Sequence, residues 1–319
     1  MNKENIVKSI KIALAAVLAI GIGAQLGLKY PATAGIITVL SIQNTKRETM
    51  KSARNRTLAF ICALILAAGA FYLLGFTLPG FACYLLLFSL LCLYEGWGEA
   101  IAMDSVLITH FLSERSMSIS LIVNEAALFF IGTTVGVLVN MHLRRRGSLF
   151  KRLADDVDEL IKEILSHMSC LLSQEDKSVC GLDHMDRLKE SLKLAMACAL
   201  NNYNNALWKK DSYEVDYIQM RENQSIVLQE IYENVKSISC LPEQAKQVAE
   251  LLNGIKRGYH RNNTVEGLLR DLELLLEDLK VQELPSSREE FEARAVLFYI
   301  LKQIERLLMI KREFILTHS

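Results

Sequence analysis

Proline is scarce: the chain has four in 319 residues, at positions 31, 79, 242 and 285. Proline is tolerated at the start of a helix and not inside one. So few of them permit long unbroken helices, and each falls between candidate helical segments. No stretch of useful length alternates apolar and polar residues, so strands are not expected and the fold class is all-α. Charge of one sign is lacking too. The 36 Lys+Arg balance the 36 Asp+Glu, which excludes a nucleic-acid binder recognised by a basic balance. The seven cysteines include no CxxC pair, and reduced thiols in a cytosol-facing protein are expected. GxxxxGK[ST], HExxH and GxSxG are all missing. Nucleotide hydrolysis, metalloprotease chemistry and serine hydrolysis are therefore not expected; neither an enzymatic role nor a cofactor is foreseen.

What is present divides unevenly. Residues 1–143 hold ten basic and seven acidic side chains, leaving 26 and 29 for residues 144–319. The first part is filled instead by apolar runs: Ile12–Leu28, Thr57–Phe76, Leu78–Tyr94 and Ile119–Met141, with shorter ones at Pro31–Ile42 and Ala100–Leu112. A bilayer core about 30 Å thick needs ~20 apolar residues as a helix. The expected organisation is a transmembrane domain over residues 1–143, of six helices with two of them short, followed by a cytosolic helical domain over 144–319. The first run is read as a membrane helix and not as a cleaved leader. Lys3, Lys8 and Lys11, then Lys46 to Arg56, then Arg144 to Arg152 are basic clusters that six crossings place on one side. By the positive-inside rule that side is the cytosol, with both termini there and the protein multi-pass in the plasma membrane.

A weak internal repeat runs through this part. Asn55-Arg56-Thr57-Leu58-Ala59-Phe60 resembles Asn124-Glu125-Ala126-Ala127-Leu128-Phe129 at an offset of 69, which also lays one short run over the other. Three crossings per copy make the second copy inverted, an arrangement common in transporters. Ionisable residues inside a membrane are costly and so are functional candidates. Arg56, at the start of the third helix, is a candidate clamp for a substrate carboxylate, to which a guanidinium fork is suited; an interfacial anchor is its plain alternative. Asp104 and Glu125 are the candidate proton-coupling residues, Glu125 with Arg56 as a possible partner across the repeat. His110 lies six residues from Asp104, ~240° around the helix, and is expected near the outer interface. Tyr30 and Tyr94, each beside a short run, are candidates to stack on a substrate ring, or else interfacial anchors. Gly23-x3-Gly27 and Gly132-x3-Gly136 read as close helix packing.

Residues 147–319 read as about six amphipathic helices that bury a common core. Leu153, Val157, Leu160, Ile161, Ile164, Met168 and Leu171 form one stripe, with Asp155, Asp156, Asp158 and Glu159 on the opposite face. Ser287-x2-Glu290 is a capping box. His167-x2-Cys170 with Cys180-x3-His184 is not a standard zinc spacing. Met220-Arg221-Glu222-Asn223-Gln224, with Ile226 to Val235 beyond it, is either an internal salt-bridge network or the register-setting seam of a homodimer.

Three stretches together resemble the aromatic acid exporter family of bacteria, within the wider fusaric-acid-resistance-like superfamily. They are Pro31 to Gln43 with the Arg56 segment, Tyr217 to Gln224, and Ser287 to Ala295; the last two look like the family's C-terminal domain. The resemblance covers nearly the whole chain. It implies six membrane helices, a helical cytosolic domain and export of aromatic or other organic carboxylates without ATP. The implied partners are the lipid bilayer, small organic anions and a second copy of the chain, and no nucleic acid. A more distant likeness to plant aluminium-activated malate channels makes an organic-anion channel the main alternative. A membrane-anchored scaffold or sensor working through the Tyr213–Ser239 helix is another.

Overall fold

The computed structural model describes residues 3–141, 147–173, 183–206, 211–259 and 264–318. Among them there is no strand, and twelve helices are present. They are α1 (Lys3–Gln25), α2 (Ala32–Ser41), α3 (Lys46–Leu74), α4 (Leu78–Tyr94), α5 (Gly98–Glu114), α6 (Ile119–Met141), α7 (Gly147–Ser173), α8 (Asp183–Asn204), α9 (Tyr213–Ser237), α10 (Gln244–Gly258), α11 (Glu266–Val281) and α12 (Arg288–Thr317). The chain divides into two compact units, Met1–Arg144 with Asn204–Trp208, and Arg145–Tyr203 with Lys209–Ser319.

In the first unit, three helices are long and apolar enough to cross a membrane: α1 from Ile6, α3 and α6. The helices α2, α4 and α5 have 10, 17 and 17 residues. The outward faces carry large apolar side chains such as Leu14, Val17, Ile65, Leu90, Val123 and Leu138, all more than half exposed. A water-soluble surface seldom carries so many. The buried set includes Arg56, Asp104, Asn124, Glu125 and Asn140, so the unit is apolar outside and polar at selected points inside.

The start of α3 departs from the expectation. Hydropathy marks only Thr57 onward, but the helix begins at Lys46, where the Thr45 side chain accepts the Glu48 backbone N–H. Lys46 to Ala53 are mostly good helix formers, so the basic segment expected as a loop is helical. Arg56 therefore sits in the third turn of α3 rather than at its start. Gly75, at φ 69°, ends the helix, and Thr77 caps α4 with Pro79 in its first turn.

The six helices pack as two triplets: α1, α2 and α6 touch one another, as do α3, α4 and α5. The triplets meet through α3 with α6 and α2 with α5. Small residues allow the close approaches. A Cβ on Gly132 would lie 2.6 Å from the Ala34 carbonyl oxygen and from Ile37 Cβ, and one on Gly136 would lie 2.7 Å from Ser41 Cβ. The Gly132-x3-Gly136 pattern is thus the α2–α6 contact. Gly27 has a different job from the one expected, since its φ of +68° turns the chain after α1 and nothing lies within 4 Å of its added Cβ. On α3 the buried Ala59, Ala63, Ala67 and Ala70 serve the α4–α5 side.

The helices α7–α12 of the second unit share one hydrophobic core. The expected stripe of α7 is in it, with Leu153 at its margin. Ser287 accepts the Glu290 backbone N–H at the start of α12, as its capping box requires. Asp158 is the exception to the acidic face. It is 7% exposed, because at 100° per residue it lies beside Ile161 and Leu165 on the inward stripe.

Candidate functional site

Direction along the first unit is fixed by its hydrogen bonds. Asn140, near the end of α6, donates to Thr49 and to the Gln43 carbonyl at 2.9 Å. Asn124, near the start of α6, exchanges bonds with the Lys29 backbone, accepting at 2.8 Å and donating at 3.1 Å. The unit thus has a basic end, carrying Lys46, Arg47, Lys51 and Arg54, and an opposite end at the α1–α2 connection. Helix α5 joins them. Glu99, Met103, Leu107, His110 and Glu114 fall within about 80° of one another around it, so one stripe runs from end to end.

Toward the basic end lies Arg56, 4% exposed. Its guanidinium reaches Glu99 Oε2 at 3.5 Å, donates to Ser41 Oγ at a long 3.4 Å and approaches the Met103 sulfur at 3.8 Å. Its Nε has no hydrogen-bond partner among the described residues. A guanidinium has five N–H donors, and these contacts are few and long for a buried one. Glu99 is itself shared, accepting from Ser52 at 2.8 Å and from Gln43 at 3.1 Å. One turn into α5 is Asp104, fully buried, with neither carboxylate oxygen hydrogen-bonded among the described residues. Arg56 is within electrostatic reach of it.

The opposite end holds a second cluster. His110 Nδ1 is 2.7 Å from Glu125 Oε2, and Glu125 is fully buried. The other carboxylate oxygen accepts from Asn124 at 3.0 Å. Tyr30 stacks on the His110 ring with centroids 4.1 Å apart. It holds φ at 59°, a left-handed backbone unusual for a tyrosine, and donates its hydroxyl to Glu114 at 2.9 Å. Lys29 binds the other oxygen of Glu114 at 2.9 Å. Burial-opposed though it is, the Glu114 hydrogen bond raises the Lys29 ammonium above its ordinary value.

Of the sequence candidates, Arg56 and Asp104 come together at one end, and Tyr30 and Glu125 at the other. Glu125 does not pair with Arg56. The two helices run antiparallel, with Arg56 toward the basic end and Glu125 toward the other, where it meets His110. Tyr94, at the end of α4, is 88% exposed. Only the packing shows that Glu99 and His110 partner Arg56 and Glu125.

The second unit has its own buried charge centre. Arg221, fully buried, donates to Asp158 at 2.9 Å, to Gln224 and Tyr259 at 2.7 Å and to the Tyr217 hydroxyl at 3.0 Å. Arg221 and Gln224 therefore face inward and are not the seam of a dimer. Lys311 is 2% exposed, with its ammonium 5.3 Å from the Tyr259 ring centre. Burial and then the Arg221 charge pull it down to about 7, against the pull of Asp158. Of the irregular zinc spacing, Cys180 lies outside the described residues.

An all-helical chain with membrane-length apolar helices, an apolar exterior and ionisable side chains buried between helices is a membrane protein. It belongs to the aromatic acid exporter family of membrane transporters: residues 5–143 match "Aromatic acid exporter family member 1" and residues 148–312 match "Putative aromatic acid exporter C-terminal domain". The uncharacterized protein YqjA of Bacillus subtilis (strain 168) is 29% identical over 311 residues, covering 96% of this chain and 95% of that one. A crystal structure described as a putative membrane protein from Clostridium difficile 630 matches 52% of this chain and 98% of its own, at 20% identity and a TM-score of 0.46.

Proposed function

We propose that the protein exports aromatic or other organic carboxylate anions across the plasma membrane without ATP. In this reading residues 1–143 form a six-span transmembrane domain and residues 144–319 a cytosolic one, with both termini in the cytosol. The observation that carries the reading is Arg56: buried, toward the basic end, with a donor left over beside a carboxyl group that has no hydrogen bond among the described residues. Such a guanidinium is suited to take an incoming carboxylate in a bidentate grip. Asp104 beside it and Glu125 at the far end are the proton-coupling residues of this reading, one toward each side of the membrane. Tyr30 belongs to the outer cluster, and Tyr94 serves as an interfacial anchor.

The two triplets support the inverted repeat. Exchanging α1 with α4, α2 with α5 and α3 with α6 maps one triplet onto the other. Each copy thus lends its third helix to the other. Energetics allow export by potential alone: one negative charge leaving across 100 mV, inside negative, gains about 2.3 kcal/mol, close to fiftyfold in concentration. In the homodimer we propose, the pairing surface lies on the exposed side of α9 and α12, around Ile226 and Tyr299, since Arg221 and Gln224 are engaged within one chain.

The test is current. Proteoliposomes on a solid-supported membrane, given a concentration jump of each of a panel of organic anions, should show protein-dependent charge movement. Neutral acid crossing the lipid is electrically silent in this assay. A complete absence of current across the panel refutes the reading.

A further inference from the structure

Helices α3 and α6 pack alongside each other. Thr49 meets Asn140 and Phe60 meets Phe129, so the residue numbers of each touching pair have the same sum and the helices are antiparallel. The two rings stack with centroids 4.7 Å apart and planes 5° from parallel. They are the same position of the two repeats, each four residues beyond its ionisable residue: Arg56 and Phe60, Glu125 and Phe129. Four residues are one turn, about 6 Å along a helix. The ring pair therefore stands between the Arg56 cluster and the Glu125–His110 cluster. Ile37, Met103, Leu107 and Leu128 close around it in a single apolar core. Phe60 and Phe129 are 3% and 0% exposed. No ion crosses such a layer without parting it, because an unpaired charge in apolar surroundings is costly.

We propose that Phe60 and Phe129 together form the ring-recognition subsite of the transport path and its central barrier. With the carboxylate on Arg56, an aromatic ring one helical turn away inserts between the two phenylalanines and exchanges their mutual stack for two stacks with itself. Phe60 belongs to one triplet and Phe129 to the other, so parting the rings is the same movement as separating the triplets. A saturated ring of the same size and charge fills the space without equivalent stacking. Selectivity for aromatic acids thus resides here and not at Tyr30 or Tyr94. This inference rests on the export reading above.

Benzoate and cyclohexanecarboxylate separate the terms, since both are singly charged six-membered-ring acids. In the current assay, wild type should favour benzoate by about four- to a hundredfold, two aromatic pairs each supplying about two- to tenfold beyond buried area. Phe60→Leu and Phe129→Leu each leave one ring to stack and should lower the preference to about two- to tenfold, and the double replacement should bring it near one. Phe60→Tyr keeps the ring and should keep the preference. Phe88→Leu, a buried phenylalanine in the other apolar cluster of this unit, should also leave the ratio unchanged. A ratio near one in wild type, or a wild-type ratio in both leucine variants, overturns the inference while leaving export standing. If no anion gives current, export and this subsite fall together. Should the leucine variants not fold, Phe129→Trp decides. Titration with 4-nitrobenzoate should quench its added fluorescence saturably, beyond the quenching of Trp97 and Trp208 seen in wild type. Quenching equal to wild type overturns the subsite.

Discussion

Replacing Asp158 by asparagine should loosen α9 far more than the loss of one surface ion pair would. Arg221 is fully buried, and among the described residues Asp158 is its only anionic hydrogen-bond partner. Its other partners, Gln224, Tyr259, Tyr217 and the Met220 sulfur, are all neutral. Asparagine preserves shape and can still accept the Tyr217 hydroxyl, so the change isolates the charge. Breaking a buried pair by removing one partner costs about 3–5 kcal/mol, because the other charge stays behind uncompensated. Lys311 adds to the imbalance, since Asp158 is also the group that opposes the effect of Arg221 on it. At about 1.4 kcal/mol per tenfold, amide exchange across α9 in the full-length protein should accelerate by about a hundredfold to a few thousandfold. The double replacement Asp158→Leu with Arg221→Met removes both charges and should recover most of the loss, as apolar substitutes for buried pairs often do. An acceleration below about threefold for Asp158→Asn would refute the reasoning, for it would mean that Arg221 is solvated or otherwise neutralised.

Gly132→Ala should abolish a monodisperse peak in detergent chromatography. Its Cβ meets the Ala34 backbone oxygen at 2.6 Å, which no side-chain rotation relieves, whereas Gly21→Ala has nothing within 4 Å and should behave as wild type. Lys311→Met should raise the melting temperature of the full-length protein at pH 7. A lysine near 7 when folded and 10.5 when unfolded loses protons on folding between those values, so the native protein gains stability as pH rises through that window. The methionine advantage should therefore shrink by about 1.4 kcal/mol per pH unit from 7 toward 9, and an advantage independent of pH would contradict this.

Much of the fold was legible because its signals are local. The apolar runs gave the limits of α4 and α6, and the three-to-four spacing gave α7. The Ser287 cap marked the start of α12. Local signals failed where two scales compete. Hydropathy alone hid the first eleven residues of α3, whose helix is capped and charged but not apolar. Asp158 looked like one of four acidic surface residues, though its helical angle placed it inward. The site divided in the same way. Arg56, Asp104 and Glu125 stood out as charges in apolar runs. Their partners Glu99 and His110 did not, because partnership is set by how α5 packs against α3 and α6. The repeat aligned Arg56 with Glu125 and invited a pairing. In the structure Arg56 and Glu125 lie toward opposite ends, while Phe60 and Phe129, at the same offset of 69, are in contact.

The central claim is that Arg56 grips a carboxylate on its way out. The most direct measurement is the concentration dependence of anion current in Arg56→Lys against wild type, in vesicles of equal protein content. Lysine keeps the positive charge and loses the fork. A hydrogen bond to a charged group contributes about 1.5–3 kcal/mol, so the half-saturating benzoate concentration should rise by about ten- to a hundredfold. An unchanged half-saturating concentration in Arg56→Lys would contradict the account.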